Sequence, residues 1–132
     1  MEAYKKVHSA ASEPIVEIDF TVDCSHTKFG ETLKVTGNSQ ELGNWNPLLA
    51  VGLRTEPGMF PKWKGSVRLS KAPAKIEYKY LIVRESDGHV ISWAPFQGNH
   101  EIVLNQVSKG FIEDIYGQPA HLKVEFVKAP PQ

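Results

Sequence analysis

One cysteine, no excess of either charge and no long apolar run are the first features of this 132-residue chain. Each shortage excludes something. A lone Cys24 cannot close an intramolecular disulfide, so the fold must hold by packing, and a reducing compartment is the expected setting. Fifteen Lys plus Arg balance fifteen Asp plus Glu. Without a net positive charge or a basic block, the chain lacks the attraction that dominates binding to nucleic acid and to anionic membranes, and neither is an expected partner. No window approaches the roughly 18 consecutive apolar residues of a membrane span, and the start Met1-Glu-Ala-Tyr-Lys-Lys lacks the apolar stretch of a signal peptide. A cytoplasmic address is the expectation. The length suits one compact domain with a radius of gyration of roughly 14 Å and leaves no room for a second, catalytic one.

Catalytic groupings are also missing. The five histidines (His8, His26, His89, His100, His121) are dispersed, with no His-x-x-x-His or Cys/His cluster, so no metal and no cofactor is expected. Cys24 and His26 stand two residues apart without a third group to orient them, and Cys24 reads as a small residue near a strand end. Glu17 and Asp19 alternate with apolar residues, as on a solvated sheet face. Gly43 and Gly52 are isolated, so no phosphate-cradling loop is present. No catalytic residue is assigned.

What the chain does have is period two. In Ile15-Val-Glu-Ile-Asp-Phe-Thr-Val22, the residues Val16, Ile18, Phe20 and Val22 share one face. Further short runs follow at Glu31 to Thr36, Ser66 to Leu69, Lys75 to Arg84, His89 to Trp93, Glu101 to Leu104, Phe111 to Tyr116 and His121 to Val127. No stretch of ten residues keeps a 3.6-residue apolar period. The one helix-like piece, Ser39 to Leu42, is stopped by Gly43, and Asp87-Gly88 is a hairpin turn. The expected fold class is all-β, an antiparallel immunoglobulin-like β-sandwich of seven or eight strands. Residues 15–127 form the module, with linkers at 1–14 and 128–132.

Two of the three tryptophans are oddly placed. Trp63 opens a strand and reads as core, but Trp45 sits in the turn Gly43-Asn-Trp-Asn-Pro47, and Trp93 ends a short strand before the polar stretch that holds Gln97 and Asn99. A pyranose packs its C–H patches on a flat aromatic face while its hydroxyls seek polar partners at the rim. Asn44, Asn46, Gln97 and Asn99 offer such partners. The alternative is that both rings plug the sandwich end.

The run Val35-Thr-Gly-Asn-Ser-Gln-Glu-Leu-Gly-Asn-Trp-Asn-Pro47, followed by Ala50-Val-Gly-Leu53, Trp63-Lys-Gly-Ser-Val-Arg-Leu69 and Ile76-Glu-Tyr-Lys-Tyr80 through to Trp93, resembles the starch-binding domains of carbohydrate-binding module family 20. The resemblance spans about residues 15 to 105. It implies a noncatalytic module that tethers a larger protein, such as an amylolytic enzyme, a glucan phosphatase or a glucan dikinase, to polysaccharide. The implied partner is an α-1,4-linked glucan: starch, amylopectin, glycogen, maltooligosaccharides or cyclodextrin. The module is expected to act as a monomer.

Position by position, the family's main glucan site falls on Trp45, Lys79, Trp93 and Asn99. Lys79 lies on the face of its strand opposite Tyr78 and Tyr80. An acidic residue that many members carry after the second tryptophan is replaced by Ala94. A second site found in some members falls on Phe29, which keeps a ring but lacks the family's hydroxyl, and on Phe60. The alternative from another class is a protein-interaction sandwich using the same exposed aromatics.

Overall fold

The computed structural model describes residues 15–70 and 73–129. The expected N-terminal linker, 1–14, and residues 130–132 of the expected C-terminal linker, 128–132, lie outside the described residues. Among the described residues there are nine strands: β1 (Ile15–Asp23), β2 (Glu31–Gly37), β3 (Val51–Gly52), β4 (Lys62–Ser70), β5 (Lys75–Arg84), β6 (Val90–Trp93), β7 (His100–Val103), β8 (Val107–Ile115) and β9 (Lys123–Lys128). They form two sheets, ordered β4-β1-β8-β9 and β3-β2-β5-β6, with β7 also pairing β5. The all-β sandwich is as expected, with two differences. The count exceeds eight because β3 is a two-residue strand, too short to leave a periodic signal. The β1–β8 pair is parallel while the other strand pairs are antiparallel. This pair joins segments far apart in the chain, so no local turn announces it. β9 includes Lys128, one residue past the expected module end.

The period-two faces pack as the pattern requires. Val16, Ile18, Phe20 and Val22 are buried, as are Leu33 and Val35 of β2, and Ile76, Tyr78, Tyr80 and Ile82 of β5. Phe20 crosses between the sheets to meet Tyr78 and Tyr80 edge-on, with ring centroids 5.2 and 6.3 Å away. Burying one such ring is worth about 2–3 kcal/mol. Trp63 is core, and its indole N–H donates to the Cys24 carbonyl at 3.1 Å. On the outer face of the first sheet, Glu17 and Asp19 each stand 3.4 Å from the Lys109 ammonium. They are the solvated carboxylates the alternation implies.

The outer face of β5 departs from simple alternation. Leu81 and Val83 point away from the central core yet are fully buried. Leu81 stands in one register row with Lys34 and Trp93, and Val83 pairs with Val90. The loop after β2 starts at the end of the sandwich, where Leu42 joins the core and Glu41 accepts from Ser70 of β4. Ser39 caps a 3-10 turn at Gln40–Leu42, and Gly43 ends it in the left-handed conformation at φ 85°. A side chain at Gly43 would come within 2.5 Å of the Leu49 carbonyl oxygen, so only glycine fits. Thr36 of β2, buried on the outer face, donates its hydroxyl to the Leu42 carbonyl at 2.6 Å. A second 3-10 turn, Pro47–Leu49, carries Leu48 to the edge of Gly88 in the β5–β6 hairpin.

Candidate functional site

The sheet edge assembles the predicted residues in rows. Lys34, Leu81 and Trp93 are cross-strand neighbours over β2, β5 and β6, and Thr36 and Lys79 form the row two residues along. Directly paired residues share a face, so Trp93 and Lys79 lie on the outer side of the sheet. Trp45 joins them through the loop. Its backbone N–H donates to the carbonyl of Gly37, the last residue of β2 and the next after Thr36. Trp45 and Trp93 remain 36% and 39% exposed.

Trp45 is held in an uncommon conformation. Both Asn44 (φ 49°) and Trp45 (φ 66°) occupy the left-handed region, where a side chain with a Cβ costs about 1–2 kcal/mol. Three backbone bonds hold them there, from Asn44 N–H to the Ser39 carbonyl, from Trp45 N–H to Gly37 and from Asn46 N–H to Gly43, each 2.9–3.0 Å. Backbone strain of this kind concentrates where a side chain must be aimed. Asn46 is spent on structure: its side-chain oxygen caps the Pro47–Leu49 turn by accepting from the Leu48 N–H at 3.0 Å. Asn44 and Asn99 are exposed.

Lys79 does more than point outward. Its ammonium donates to the carbonyls of Phe96 at 2.5 Å and Gly98 at 2.9 Å, and it stands 4.6 Å from the centre of the Phe96 ring. It therefore ties down the 96–98 loop, the segment that presents Asn99. An ammonium has three donors, and two are used here. The hairpin that carries Trp93 is stiffened at its far end, where the Arg84 guanidinium grips Asp87 through two bonds of 2.9 and 2.8 Å. That hydrogen bonding holds the Asp87 carboxyl well below the usual carboxylate range. Ala94, in place of an acidic residue, is buried and donates its N–H to the Tyr80 carbonyl at 2.9 Å.

The second candidate pair also comes together. Phe29, wholly exposed, and Phe60 line one cleft of about 680 Å³, with Trp63 and Arg54 in its wall. Cys24 and His26 form no catalytic pair: Cys24 is buried, His26 is exposed beside the Tyr116 ring, and burial pushes the Cys24 thiol up. Reading the sequence alone did miss a polar cluster inside the sandwich. His100, Asp114 and His121, dispersed along the chain, meet with Tyr78 and Tyr80 between the sheets. It also missed the clamp on the 96–98 loop, for which Phe96 in an otherwise polar loop was the available signal.

Comparison with known proteins agrees with this geometry. The family model described as "Starch binding domain" matches residues 15–111. A glucan 1,4-alpha-maltotetraohydrolase of Roseateles saccharophilus is 34% identical over 88 residues, covering 67% of this chain and 16% of that enzyme. Among solved structures, a glycoside hydrolase family 15 glucoamylase from Hypocrea jecorina superposes with a TM-score of 0.68 at 34% identity, over 81% of this chain and 18% of that one. The family 20 carbohydrate-binding module of the maltotetraose-forming amylase from Pseudomonas saccharophila superposes over its whole length and 75% of this chain, with a TM-score of 0.58 at 31% identity. The chain thus spans about a sixth of the enzymes it matches. It belongs to the starch-binding domains of carbohydrate-binding module family 20, and this sandwich is a noncatalytic starch-binding module.

Proposed function

We propose that Trp45 and Trp93 form the platform for α-1,4-linked glucan, with Asn99 and the remaining donor of Lys79 at its polar rim. The observation that carries this reading is the pair of half-exposed indoles, Trp93 on the outer face of β6 and Trp45 in the loop anchored at the end of β2, the latter kept in a strained backbone conformation. The natural curvature of the glucan lets neighbouring glucose units lie across two such rings, while hydroxyls at the edge take the polar partners. Amylopectin, glycogen, maltooligosaccharides and cyclodextrin all present this unit. An open site of this kind recovers about 4–8 kcal/mol, a dissociation constant between about 1 mM and 1 μM, and we expect the weak end. Weak binding suffices for a tether, because a polymer offers many sites and linkage raises the effective concentration.

In this reading the monomeric module holds a larger carbohydrate-active protein, an amylolytic enzyme, glucan phosphatase or glucan dikinase, on its polysaccharide in the cytoplasm. The cleft between Phe29 and Phe60 serves as a second, weaker glucan contact. Amylose pull-down tests the platform: Trp45→Ala and Trp93→Ala should each lose sedimentation while circular dichroism stays that of the parent. Sedimentation equal to the parent in both variants refutes it. Quenching of tryptophan fluorescence by β-cyclodextrin separates glucan binding from the alternative in which the same rings dock a protein.

A further inference from the structure

The polar cluster between the sheets takes no part in the proposed glucan platform, although the His100 ring meets Phe96 edge-on with centroids 5.0 Å apart. Asp114, on the inner face of β8, is buried, and its Oδ2 accepts the hydroxyls of Tyr78 at 2.8 Å and Tyr80 at 2.6 Å. Burial pushes both phenols far up, so they stay protonated donors. His100, the first residue of β7, places its Nδ1 3.1 Å from the Pro119 carbonyl, and His121 places its Nε2 3.1 Å from the Glu101 carbonyl. A carbonyl only accepts, so each of these nitrogens must carry the ring hydrogen. In the neutral ring, the other nitrogen then carries a bare lone pair.

His100 Nε2 is buried with no hydrogen-bond partner. His121 Nδ1 lies 2.7 Å from Asp114 Oδ1 and 3.4 Å from the Tyr78 hydroxyl, which already donates to Asp114 Oδ2. A lone pair and a carboxylate oxygen 2.7 Å apart repel unless a positive charge lies between them. One ligand atom from each of His100, Asp114 and His121 falls within 4.8 Å of the other two. Each imidazole is oriented by a backbone carbonyl, and the carboxylate is oriented by two hydroxyls. Protein metal ligands are held in this way by their outer partners.

We propose that His100 Nε2, His121 Nδ1 and Asp114 Oδ1 form a binding site for a divalent transition-metal ion, with zinc the best fit. Two imidazoles and one carboxylate suit zinc, whose bonds of about 2.0–2.2 Å would set ligand atoms roughly 3.3 Å from one another. The 2.7 Å contact between His121 Nδ1 and Asp114 Oδ1 would open to that spacing, and the remaining distances, all within 4.8 Å, would settle to it. The adjustment falls to His121, whose side chain is 21% exposed while the other two ligands are buried, and whose ring stacks on His100 with centroids 5.3 Å apart. A fourth position toward solvent would be left for water. The ion would lock the segment between β8 and β9 onto the β7 strand, whose first residue follows Asn99.

Calorimetric titration of the chelator-treated chain with zinc chloride should give one saturable equivalent and a higher melting temperature. His121→Ala should weaken that binding at least tenfold, whereas the control His26→Ala/His89→Ala, both outside the cluster, should leave it unchanged. Nitrogen-detected spectra of the imidazoles in the unmutated chain give a check that does not depend on a variant folding: zinc should shift His100 Nε2 and His121 Nδ1. A titration with no saturable step, binding retained in His121→Ala, or shifts confined to other histidines overturns the proposal, and the proton of a His121–Asp114 ion pair is then the charge between the two groups.

Discussion

Lys79 on the outer face of β5 and its neighbours Tyr78 and Tyr80 on the inner face differ in what completes them. Outside, the ammonium satisfies two loop carbonyls and keeps a donor spare, while two indoles stay half-open to solvent. Inside, both phenols are fully buried and donate to a single carboxylate oxygen. Apolar area left in water forgoes stabilisation, and a buried hydroxyl without an acceptor costs about 1–3 kcal/mol. One face therefore gives up stability for contact with a ligand, and the other commits Asp114 Oδ2 to two buried hydroxyls of the fold.

The contrast breaks most visibly at Asp114. Asp114→Ala strips the acceptor from two buried hydroxyls and a partner from His121, at a cost of about 3–5 kcal/mol, a large part of a domain's total stability. Chemical denaturation in the presence of a chelator should register that loss, while the fraction still folded binds amylose as the parent does. Trp93→Ala should do the reverse, leaving the denaturation midpoint in place and weakening glucan by at least about thirty-fold, the scale of a binding hot spot of 2 kcal/mol. Should Asp114→Ala lose amylose binding in its folded fraction, the two faces are coupled and the contrast fails.

Alkali probes the inner face alone. Burial raises the Tyr78, Tyr80 and Cys24 groups above their ordinary values of 10.0, 10.0 and 9.0. The folded chain thus keeps protons that the unfolded chain releases. Their contribution is intact below pH 9 and is lost as pH climbs, at up to about 1.4 kcal/mol per unit for each group once the unfolded chain has ionised there. Phenolate absorbance of the buried tyrosines should appear together with loss of the sandwich, not before it. Early, noncooperative ionisation would mean the inner face is wetter than its hydrogen bonds imply.

Much of the outer face was legible because it depends on local chemistry. The Gly43 stop and the Asp87-Gly88 hairpin are set by which residues tolerate a conformation, and both can be read from a few neighbours. Trp63 could be assigned to the core by its place in an alternating strand. The inner cluster was not legible, since residues 78, 80, 100, 114 and 121 meet only after β7 has paired with β5 and that sheet has packed on the one that holds β8, and both contacts are nonlocal. The burial of Leu81 and Val83 did leave a trace. Leu81-Ile-Val83 interrupts the alternation with a continuous apolar run, as a strand covered on both sides requires.

A finer test asks what Lys79 contributes beyond charge. Lys79→Met keeps most of the stem but removes the bonds to Phe96 and Gly98. Losing them should weaken glucan by about 0.5–1.5 kcal/mol, roughly two- to twelve-fold, and speed amide exchange over residues 96–99. Weaker binding with unchanged exchange would assign Lys79 to direct contact with sugar alone.

The smallest effect separates aim from adhesion at Trp45. Its φ of 66° penalises any residue with a Cβ, alanine as well as tryptophan. Trp45→Ala removes the ring and keeps the strain, whereas Trp45→Gly removes both and adds the greater chain entropy of glycine in the unfolded state. Relief of about 1–2 kcal/mol against an entropy cost of about 0.4–1 kcal/mol leaves Trp45→Gly more stable than Trp45→Ala by about 0.5–1 kcal/mol. Both variants should fail to bind amylose, and their melting temperatures should differ by a few degrees in favour of glycine. An equal or lower melting temperature for Trp45→Gly would show that the left-handed turn follows from the surrounding loop at no cost, and that the fold gives up nothing to aim this ring.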